Sequence, residues 1–292
     1  MYYHCGLKNK STVMHRFETI ASLRQHLAKI RSEQTIGLIP TMGALHEGHI
    51  TLIEKAKKEN DVVVSSIFVN PAQFNNPDDL ARYPRTLEED CQKLEAAGCD
   101  MVFTPSIDEM YPEPPKLRLN FGELETLMEG AFRPGHFNGV GIVVAKLFNM
   151  VQADRAYFGQ KDLQQVAVIR RLIRDLSFPV ELVRCPTVRE ADGLAMSSRN
   201  RNLTPGERAQ APALFQALTL AHELISEGHS TTQAKAAVTG FFTANPNFRL
   251  EYVEVVNADT LQLANEVLAP GQTAICLAVH LGNVRLIDNL VF

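Results

Sequence analysis

The chain has 292 residues, a net charge of -4 and a pI near 6.2, so composition alone gives no general attraction for nucleic acid or anionic membranes. Hydrophobic residues make up 45% of the chain, enough for a sizeable core that we expect to be divided between two domains. No apolar run approaches the ~20 residues that span a bilayer. Five scattered cysteines without C-x-x-C pairs favour reduced thiols in a cytoplasmic protein.

The N-terminal segment shows little apolar periodicity and lacks the apolar centre of a signal peptide. We expect residues 1–13 to be a disordered or misassigned extension, with Met14 as an alternative start.

After this segment, helical and strand patterns alternate as far as Arg184. The predicted helices are Phe17–Ile30, His46–Lys58, Thr86–Ala97, Asn138–Met150 and Asp162–Leu176. The predicted strands are Thr35–Pro40, Asp61–Val69, Asp100–Thr104, Ala153–Phe158 and Val180–Arg184. This alternation predicts an α/β domain over residues 14–185, with a parallel sheet covered by helices on both faces. Ligands of such sheets bind beyond the carboxyl ends of the strands.

The pattern changes near Pro186, where a polar loop precedes two helices and three short strands. The predicted helices are Pro205–Glu227 and Thr231–Ala244, and the predicted strands lie near Arg249–Val256, Thr273–Val279 and Val284–Asn289. Residues 186–292 are therefore predicted to form a smaller α+β domain.

The stretch from Ile36 to Ile53 carries the strongest chemical signal. Its apolar run turns at Gly43 and places His46 and His49 at the head of a predicted helix. The first turn of a helix has unpaired N–H groups and a partial positive charge, which suit phosphate, and imidazoles can titrate near neutrality. The two alternatives are polar surface histidines and a zinc site. Zinc is disfavoured because protease-type helices need H-E-x-x-H, with the histidines four apart.

Two later segments could also contact phosphate. Gly159–Asp162 opens a helix after a strand, and the alternative is an ordinary N-cap at Asp162 with Lys161 solvated. Met196–Arg199 offers two hydroxyls and a guanidinium that can bind triphosphate oxygens. The same residues are equally compatible with an exposed basic loop.

Three weaker signals depend on context. Gln73 ends the most apolar strand and could hold a substrate carboxylate, or it could belong to an ordinary turn. Glu88, Glu89 and Asp90 suit the first turns of a helix, although carboxylates beside a triphosphate are also what Mg²⁺ needs. The segment 132–139 reads as a Pro-Gly turn or as a mobile lid.

Six motifs, taken together and in this order, resemble pantothenate synthetases (pantoate–β-alanine ligases). They are PTMGALHEGH, FVNPAQF, YPRTLEED, FRPGHFNGV, YFGQKDLQQ and GLAMSSRN. The resemblance runs from about Phe17 to the C-terminus and is specific as a set. It implies a Rossmann-type domain of the nucleotidylyltransferase-like group, in which an H-x-G-H signature and a loop near the KMSKS position of class I tRNA synthetases bind ATP.

The resemblance also implies an activity. The carboxylate of pantoate attacks the α-phosphorus of MgATP, and β-alanine then attacks the resulting pantoyl adenylate to give pantothenate and AMP. It implies Mg²⁺ with ATP as a substrate, no zinc, no organic prosthetic group, and a cytoplasmic homodimer. We expect the second domain to cover the site by pivoting near Cys185–Val188.

By the same resemblance, residues of the site can be assigned. The expected ATP-binding residues are Met42, Gly43, Ala44, Leu45, His46, Glu47, Gly48, His49, Gly159, Gln160, Lys161, Asp162, Val188, Met196, Ser197, Ser198 and Arg199. His49 is the expected proton donor, and His46, Lys161 and Arg199 are expected to assist catalysis as positive groups. Gln73 and Gln165 are expected to bind pantoate, with Gln73 also near β-alanine. Asp90 is the expected contact for Mg²⁺.

Two other functions stay open. One is a ligase or nucleotidylyltransferase of the same group that acts on another acid. The other is RNA binding, suggested by the synthetase-like loop but disfavoured by the acidic pI, the absence of tryptophan and the lack of a basic stripe.

Overall fold

Six parallel strands form the larger of two sheets in residues 13–292, the part of the chain that this computed structural model describes. Their order is β1-β4-β3-β2-β5-β6. The strands are β1 (His15–Phe17), β2 (Ile36–Thr41), β3 (Val62–Ile67), β4 (Met101–Phe103), β5 (Arg155–Gly159) and β6 (Glu181–Cys185). The prediction for residues 1–13 lies outside the described residues, apart from Val13.

Helices cover both faces of this sheet, which confirms the predicted α/β fold. Ile36 and Leu38 of β2 pack into one apolar cluster, whereas Ile39 packs into another on the opposite face. Alternation of this kind follows from the two-residue period of a strand. The helices are α1 (Ile20–Leu27), α2 (Glu47–Glu59), α3 (Pro77–Arg82), α4 (Leu87–Ala96), α5 (Ile107–Met110), α6 (Met128–Phe132), α7 (His136–Val151), α8 (Leu163–Asp175), α9 (Pro205–Gln210), α10 (Ala213–Ser226) and α11 (Thr231–Thr243).

Two predicted helices are wrong in their extent. The first begins at Ile20 after the N-cap Thr19, because residues 15–17 pair with β4 as strand β1 instead. The predicted helix Pro205–Glu227 is divided into α9 and α10 at Pro212, whose ring removes the N–H that a continuous helix would need.

The smaller sheet is antiparallel, in the order β7 (Phe248–Asn257), β8 (Thr273–Leu281) and β9 (Val284–Val291). It packs with α10 and α11 around a core of its own, and the domain of residues 186–292 stays a prediction. A further cluster joins the two parts through Leu163 and Ala167 of α8 and Val256 and Cys276 of the small sheet. Within the described residues, the helices are all too short or too polar to cross a bilayer.

The strand order determines where a ligand can bind. From β2 the chain continues outward through β3 and β4, and β5 returns to the other side of β2. The crevice between the carboxyl ends of β2 and β5 is therefore the switch point at which open α/β sheets bind their ligands. His46 follows β2 and Lys161 follows β5, so the topology brings these two segments together.

Candidate active site

The turn after β2 is held in place by a buried carboxylate. Gly43 (φ 79°) and Ala44 (φ 51°) adopt left-handed conformations, which aim successive N–H groups at one point. Asp90 accepts hydrogen bonds there from the backbone N–H of Ala44 (2.8 Å) and of Leu45 (2.7 Å). Its Oδ2 also accepts from the hydroxyl of Thr86 at 3.1 Å.

This geometry corrects the assignment of Asp90 to Mg²⁺. The side chain lies on α4 and has no exposed surface, and both of its oxygens are occupied by protein donors. Asp90 therefore shapes the turn that precedes the histidines, and the hydrogen bonds to both of its oxygens disfavour direct contact with Mg²⁺.

The two histidines form a neutral pair at the start of α2. Their ring centroids are 4.1 Å apart, and Nδ1 of His49 accepts the backbone N–H of His46 at 3.3 Å. The proton of a neutral His49 ring is therefore on Nε2. Burial, followed by the neighbouring His49 and Lys161, lowers the pKa of His46 to about 3. Burial and Lys161 lower the pKa of His49 to about 4.

These pKa values describe the free site, in which each ring is neutral near pH 7 and supplies one N–H donor, so fixed positive charge there comes from lysine and arginine. The expectation of positively charged histidines around a bound triphosphate stays a prediction. Within residues 13–292, the buried Nδ1 of His46 has no hydrogen-bond partner.

Gly48 is required by the position of the His46 ring. A Cβ atom at residue 48 would lie 2.9 Å from Cε1 and 3.0 Å from Nδ1 of that ring. Such contacts are too short, so any larger residue would displace the imidazole. The glycine of H-x-G-H thus allows the first histidine to fold over the first turn of the helix.

The segment after β5 forms a short 3-10 turn from Gln160 to Asp162. Lys161 and Asp162 both face the crevice, with Nζ and Oδ1 3.7 Å apart. Asn289 of β9 donates from Nδ2 to the carbonyl oxygens of Gln160 and Lys161, both at 2.9 Å. Asp162 precedes α8 without a side-chain capping bond, so the N-cap alternative does not account for this residue.

The loop 196–199 closes the crevice from the other side. The hydroxyl of Ser198 donates to the carbonyl of Ala44 at 3.1 Å, which ties the loop to the histidine-bearing turn. Arg199 pairs with Asp79 of α3 at 3.0 Å and lies over the ring of Tyr83. The arginine is thus a largely buried cation within the crevice and not part of an exposed basic loop.

A cavity of about 210 Å³ connects these segments. It brings together the following predicted site residues: Met42, His46, Gly48, His49, Gln73, Gly159, Lys161, Asp162, Gln165, Val188, Met196, Ser197, Ser198 and Arg199. Its lining combines polar and cationic side chains with apolar ones, among them Phe68, Val140, Val143 and Leu147. A wider cleft of about 680 Å³ adjoins it and shares Lys161 and Arg199.

Several predicted ATP-binding residues do not line this cavity. They are Gly43, Ala44, Leu45, Glu47 and Gln160. Ala44 and Leu45 are fully buried beneath the turn, with their N–H groups bonded to Asp90. Glu47 is exposed, and Gln160 turns towards Asn289. These residues shape or flank the site, and their assignment to ATP stays a prediction.

Gln73 is held in a fixed orientation. Its Oε1 accepts from Nδ2 of Asn70 at 3.1 Å, so its Nε2 is the group directed towards Met42 and the cavity. Gly139 allows α7 to pack against this turn, because a Cβ there would lie 2.1 Å from the carbonyl oxygen of Ala72. The amide therefore offers N–H donors to a ligand.

Sequence reasoning missed the contribution of residues 129–136. Arg133 and His136 line the cavity, and Nδ1 of His136 contacts the carbonyl oxygen of Gln73 at 2.8 Å. The FRPGHFNGV motif contained this signal, but the sequence alone favoured a Pro-Gly turn. The side-chain amide of Gln164, by contrast, forms hydrogen bonds with backbone groups of residues 124–129, whereas Gln165 lines the cavity.

The fold and site define an α/β protein with an H-x-G-H turn at the switch point of a parallel sheet and one cavity that joins cationic and apolar side chains. A family model for pantoate-beta-alanine ligase matches residues 15–291. The pantothenate synthetases of Moorella thermoacetica and Cytophaga hutchinsonii are 50% identical over 280 residues and 47% identical over 275 residues. These matches cover 95% and 94% of this chain and 98% and 97% of the relatives.

Two solved structures superpose on nearly the whole of this chain. Pantothenate synthetase from Thermus thermophilus superposes with a TM-score of 0.90 at 47% identity, covering 95% of this chain and 99% of that one. The ligase from Francisella tularensis, complexed with beta-gamma ATP and beta-alanine, has a TM-score of 0.77 at 36% identity, covering 96% and 98%. The chain belongs to the pantoate–β-alanine ligase family, which confirms the resemblance and the prediction of ATP-dependent pantothenate synthesis.

Proposed function

We propose that the chain joins pantoate to β-alanine through a pantoyl-adenylate intermediate formed in the crevice between β2 and β5. The observation that carries this proposal is one cavity lined by two chemically different sets of residues. His46, His49, Lys161 and Arg199 suit a triphosphate, and apolar side chains with the Gln73 amide form much of the remaining lining. Pantoate needs that combination, because it carries two methyl groups beside two hydroxyls and a carboxylate.

The first step is an in-line displacement. A carboxylate oxygen of pantoate attacks the α-phosphorus of ATP, and pyrophosphate leaves with the electrons of the P–O bond. Such a reaction depends on positioning and on neutralising negative charge more than on covalent help from the protein. Gln73 and Gln165 hold pantoate in this proposal, and Lys161 and Arg199 neutralise the phosphates.

His49 is the proposed proton donor, through its Nε2–H. The negative charge of a bound triphosphate favours the protonated ring and so raises the low pKa of the free site. His46 contributes a hydrogen bond to the same phosphates. Met42, Gly159, Val188, Met196, Ser197 and Ser198 form the remaining walls of the nucleotide site in this proposal.

Asp162 is the carboxylate that best fits Mg²⁺ bound with ATP. It is about half exposed, faces the crevice beside Lys161 and lines both the cavity and the adjoining cleft. Mg²⁺ needs only one or two carboxylates when phosphate oxygens complete its shell. The ion would neutralise the charge that develops on pyrophosphate.

In the second step, the amine of β-alanine attacks the acyl carbon of the adenylate, and AMP leaves. Gln73 lies beside this carbon in the proposal, and the wide cleft offers an entrance for a zwitterion because it carries both Arg133 and Asp79. The segment Cys185–Val188 remains the proposed pivot of the covering domain.

We also propose that the protein is a cytoplasmic homodimer. Light scattering can test the dimer, and cell fractionation can test the location.

Isotope exchange between ATP and pyrophosphate tests the first step. We expect exchange that requires pantoate but not β-alanine, and AMP release that requires both. Retention of AMP on the final product would show instead a nucleotidylyltransferase. Competition of RNA with ATP would support the synthetase-like alternative.

A further inference from the structure

We propose that Arg285, on the small C-terminal sheet, is a positioning residue for the pantoate site and acts on Gln73 through Glu129, Arg133 and His136. This inference rests on the proposed function, because Gln73 is taken to bind pantoate. Arg285 itself does not line the cavity that contains Gln73.

The first link joins the small sheet to α6. Arg285 of β9 donates to both carboxylate oxygens of Glu129, at 2.8 and 2.6 Å, and also pairs with Glu251 of β7. The hydroxyl of Tyr252 donates to the same carboxylate at 3.0 Å. Burial alone would raise the pKa of Glu129, but the hydrogen bonds and charge of Arg285 lower it to about 2. A buried carboxylate held by a bidentate arginine is a rigid anchor.

The second link runs along α6 to the start of α7. Arg133 lies four residues after Glu129 and contacts its Oε2 at 3.4 Å. The same Nη1 lies 3.1 Å from Nε2 of His136. An arginine can only donate, so Nε2 of His136 must accept and its Nδ1 must carry the hydrogen.

The third link reaches the site. Because Nδ1 of His136 carries the hydrogen, it donates to the backbone carbonyl of Gln73 at 2.8 Å. Burial, followed by the charge of Arg133, lowers the pKa of His136 to about 3, so the neutral ring with one donor and one acceptor is the stable form. The hydrogen bonds of this path thus have defined directions, and they link the backbone carbonyl of Gln73 to the small sheet.

A purely structural role for Arg285 would predict something different. In that case Arg285 would only stabilise the contact between the small sheet and α6. Its loss would then change the KM values for pantoate and ATP by similar factors. Arg285 does line the wide cleft that also contains Lys161 and Arg199, but the hydrogen bonds described above lead from Arg285 to Gln73. A positioning role therefore predicts that loss of Arg285 affects pantoate more than ATP.

Kinetics of pantoate-dependent ATP–pyrophosphate exchange separate the two roles. Arg285→Ala should raise the KM for pantoate about tenfold, within the usual range of coupling between contacting residues, and change the KM for ATP less than about twofold. Arg285→Lys keeps the charge but loses the bidentate pair, so a smaller rise is expected. Lys235→Ala breaks an ion pair of the small domain with Glu254 and serves as the matched control.

A double-variant experiment tests the path itself. His136→Asn keeps a donor near the position of Nδ1 but removes the acceptor for Arg133, so the path is already broken. Adding Arg285→Ala to His136→Asn should then raise the KM for pantoate less than about twofold further. A second tenfold rise, or equal changes in the KM values for pantoate and ATP, would overturn the proposal.

The wild-type chain keeps the two proposals distinguishable. Pantoate-dependent exchange by the unaltered chain tests the proposed function by itself. If that exchange occurs and Arg285→Ala leaves the KM for pantoate unchanged in folded protein, only the positioning role is overturned. Should Arg285→Ala not fold, the Arg285→Lys variant alone and combined with His136→Asn decides the question.

Discussion

Replacement of Asp90 by asparagine separates two roles for this residue, metal contact and support of the turn after β2. Asparagine retains one acceptor oxygen and introduces an NH₂ group where the other oxygen stood. One of the two buried N–H groups, that of Ala44 or that of Leu45, then faces another donor. The volume of the side chain is nearly unchanged, so packing is preserved.

The expected loss of stability follows from these contacts. A buried N–H without an acceptor costs about 1–3 kcal/mol, and the surviving bonds weaken because a charged acceptor contributes roughly twice what a neutral one does. Together these effects predict a loss of about 3 kcal/mol. For a protein of this size the melting midpoint should fall by roughly 6–12 °C.

Calorimetry of the ligand-free protein in a chelating buffer measures this loss without metal. Asp108→Asn is the matched control, since Asp108 is exposed in the first turn of α5. Pantoate-dependent exchange at several Mg²⁺ concentrations gives the second readout. We expect Asp90→Asn to lower the exchange rate, because the turn carries the histidines, and to leave the half-saturating Mg²⁺ concentration unchanged. An unaltered melting midpoint combined with a higher Mg²⁺ requirement would refute the reasoning.

Four further predictions concern the two histidines, Gly48 and Lys161. Because the proposed donor is the protonated form of His49 and the pKa of the free ring is about 4, kcat/KM for ATP should rise as the pH falls from neutrality towards about 4; a profile that is flat down to pH 5 would contradict this. The same shifts make stability fall as the pH drops from about 6.5 towards 3, since the unfolded chain binds the protons first. Gly48→Ala should displace the His46 ring and lower exchange about a hundredfold with little change in pantoate KM, as binding assays with each substrate can check. Lys161→Ala should raise the KM for ATP at least tenfold while Gln160→Ala leaves it nearly unchanged, and equal effects would show that the turn acts only as a scaffold.

The sequence determined most of the architecture by its local patterns. The β-branched run that became β3 and the alternation of strands and helices predicted the parallel sheet, and six motifs in order indicated the family. Boundaries were harder to predict where tertiary pairing decides them. Phe17 became part of a strand because β4 offers residues 15–17 an edge, although Phe17 also begins the helical apolar spacing of Phe17–Ile30.

The histidine-bearing turn shows most clearly what only the tertiary structure decided. From the sequence, His46 and His49 are donors to phosphate, and the acidic run ending in Asp90 suits a metal. Folding places Asp90 beneath the turn, where backbone N–H groups bind its carboxylate, and burial leaves both imidazoles neutral. Local residue types decide which chemistry is available at a site. Burial and long-range hydrogen bonds decide which groups are charged and which face the substrate, because both depend on segments far apart in the chain.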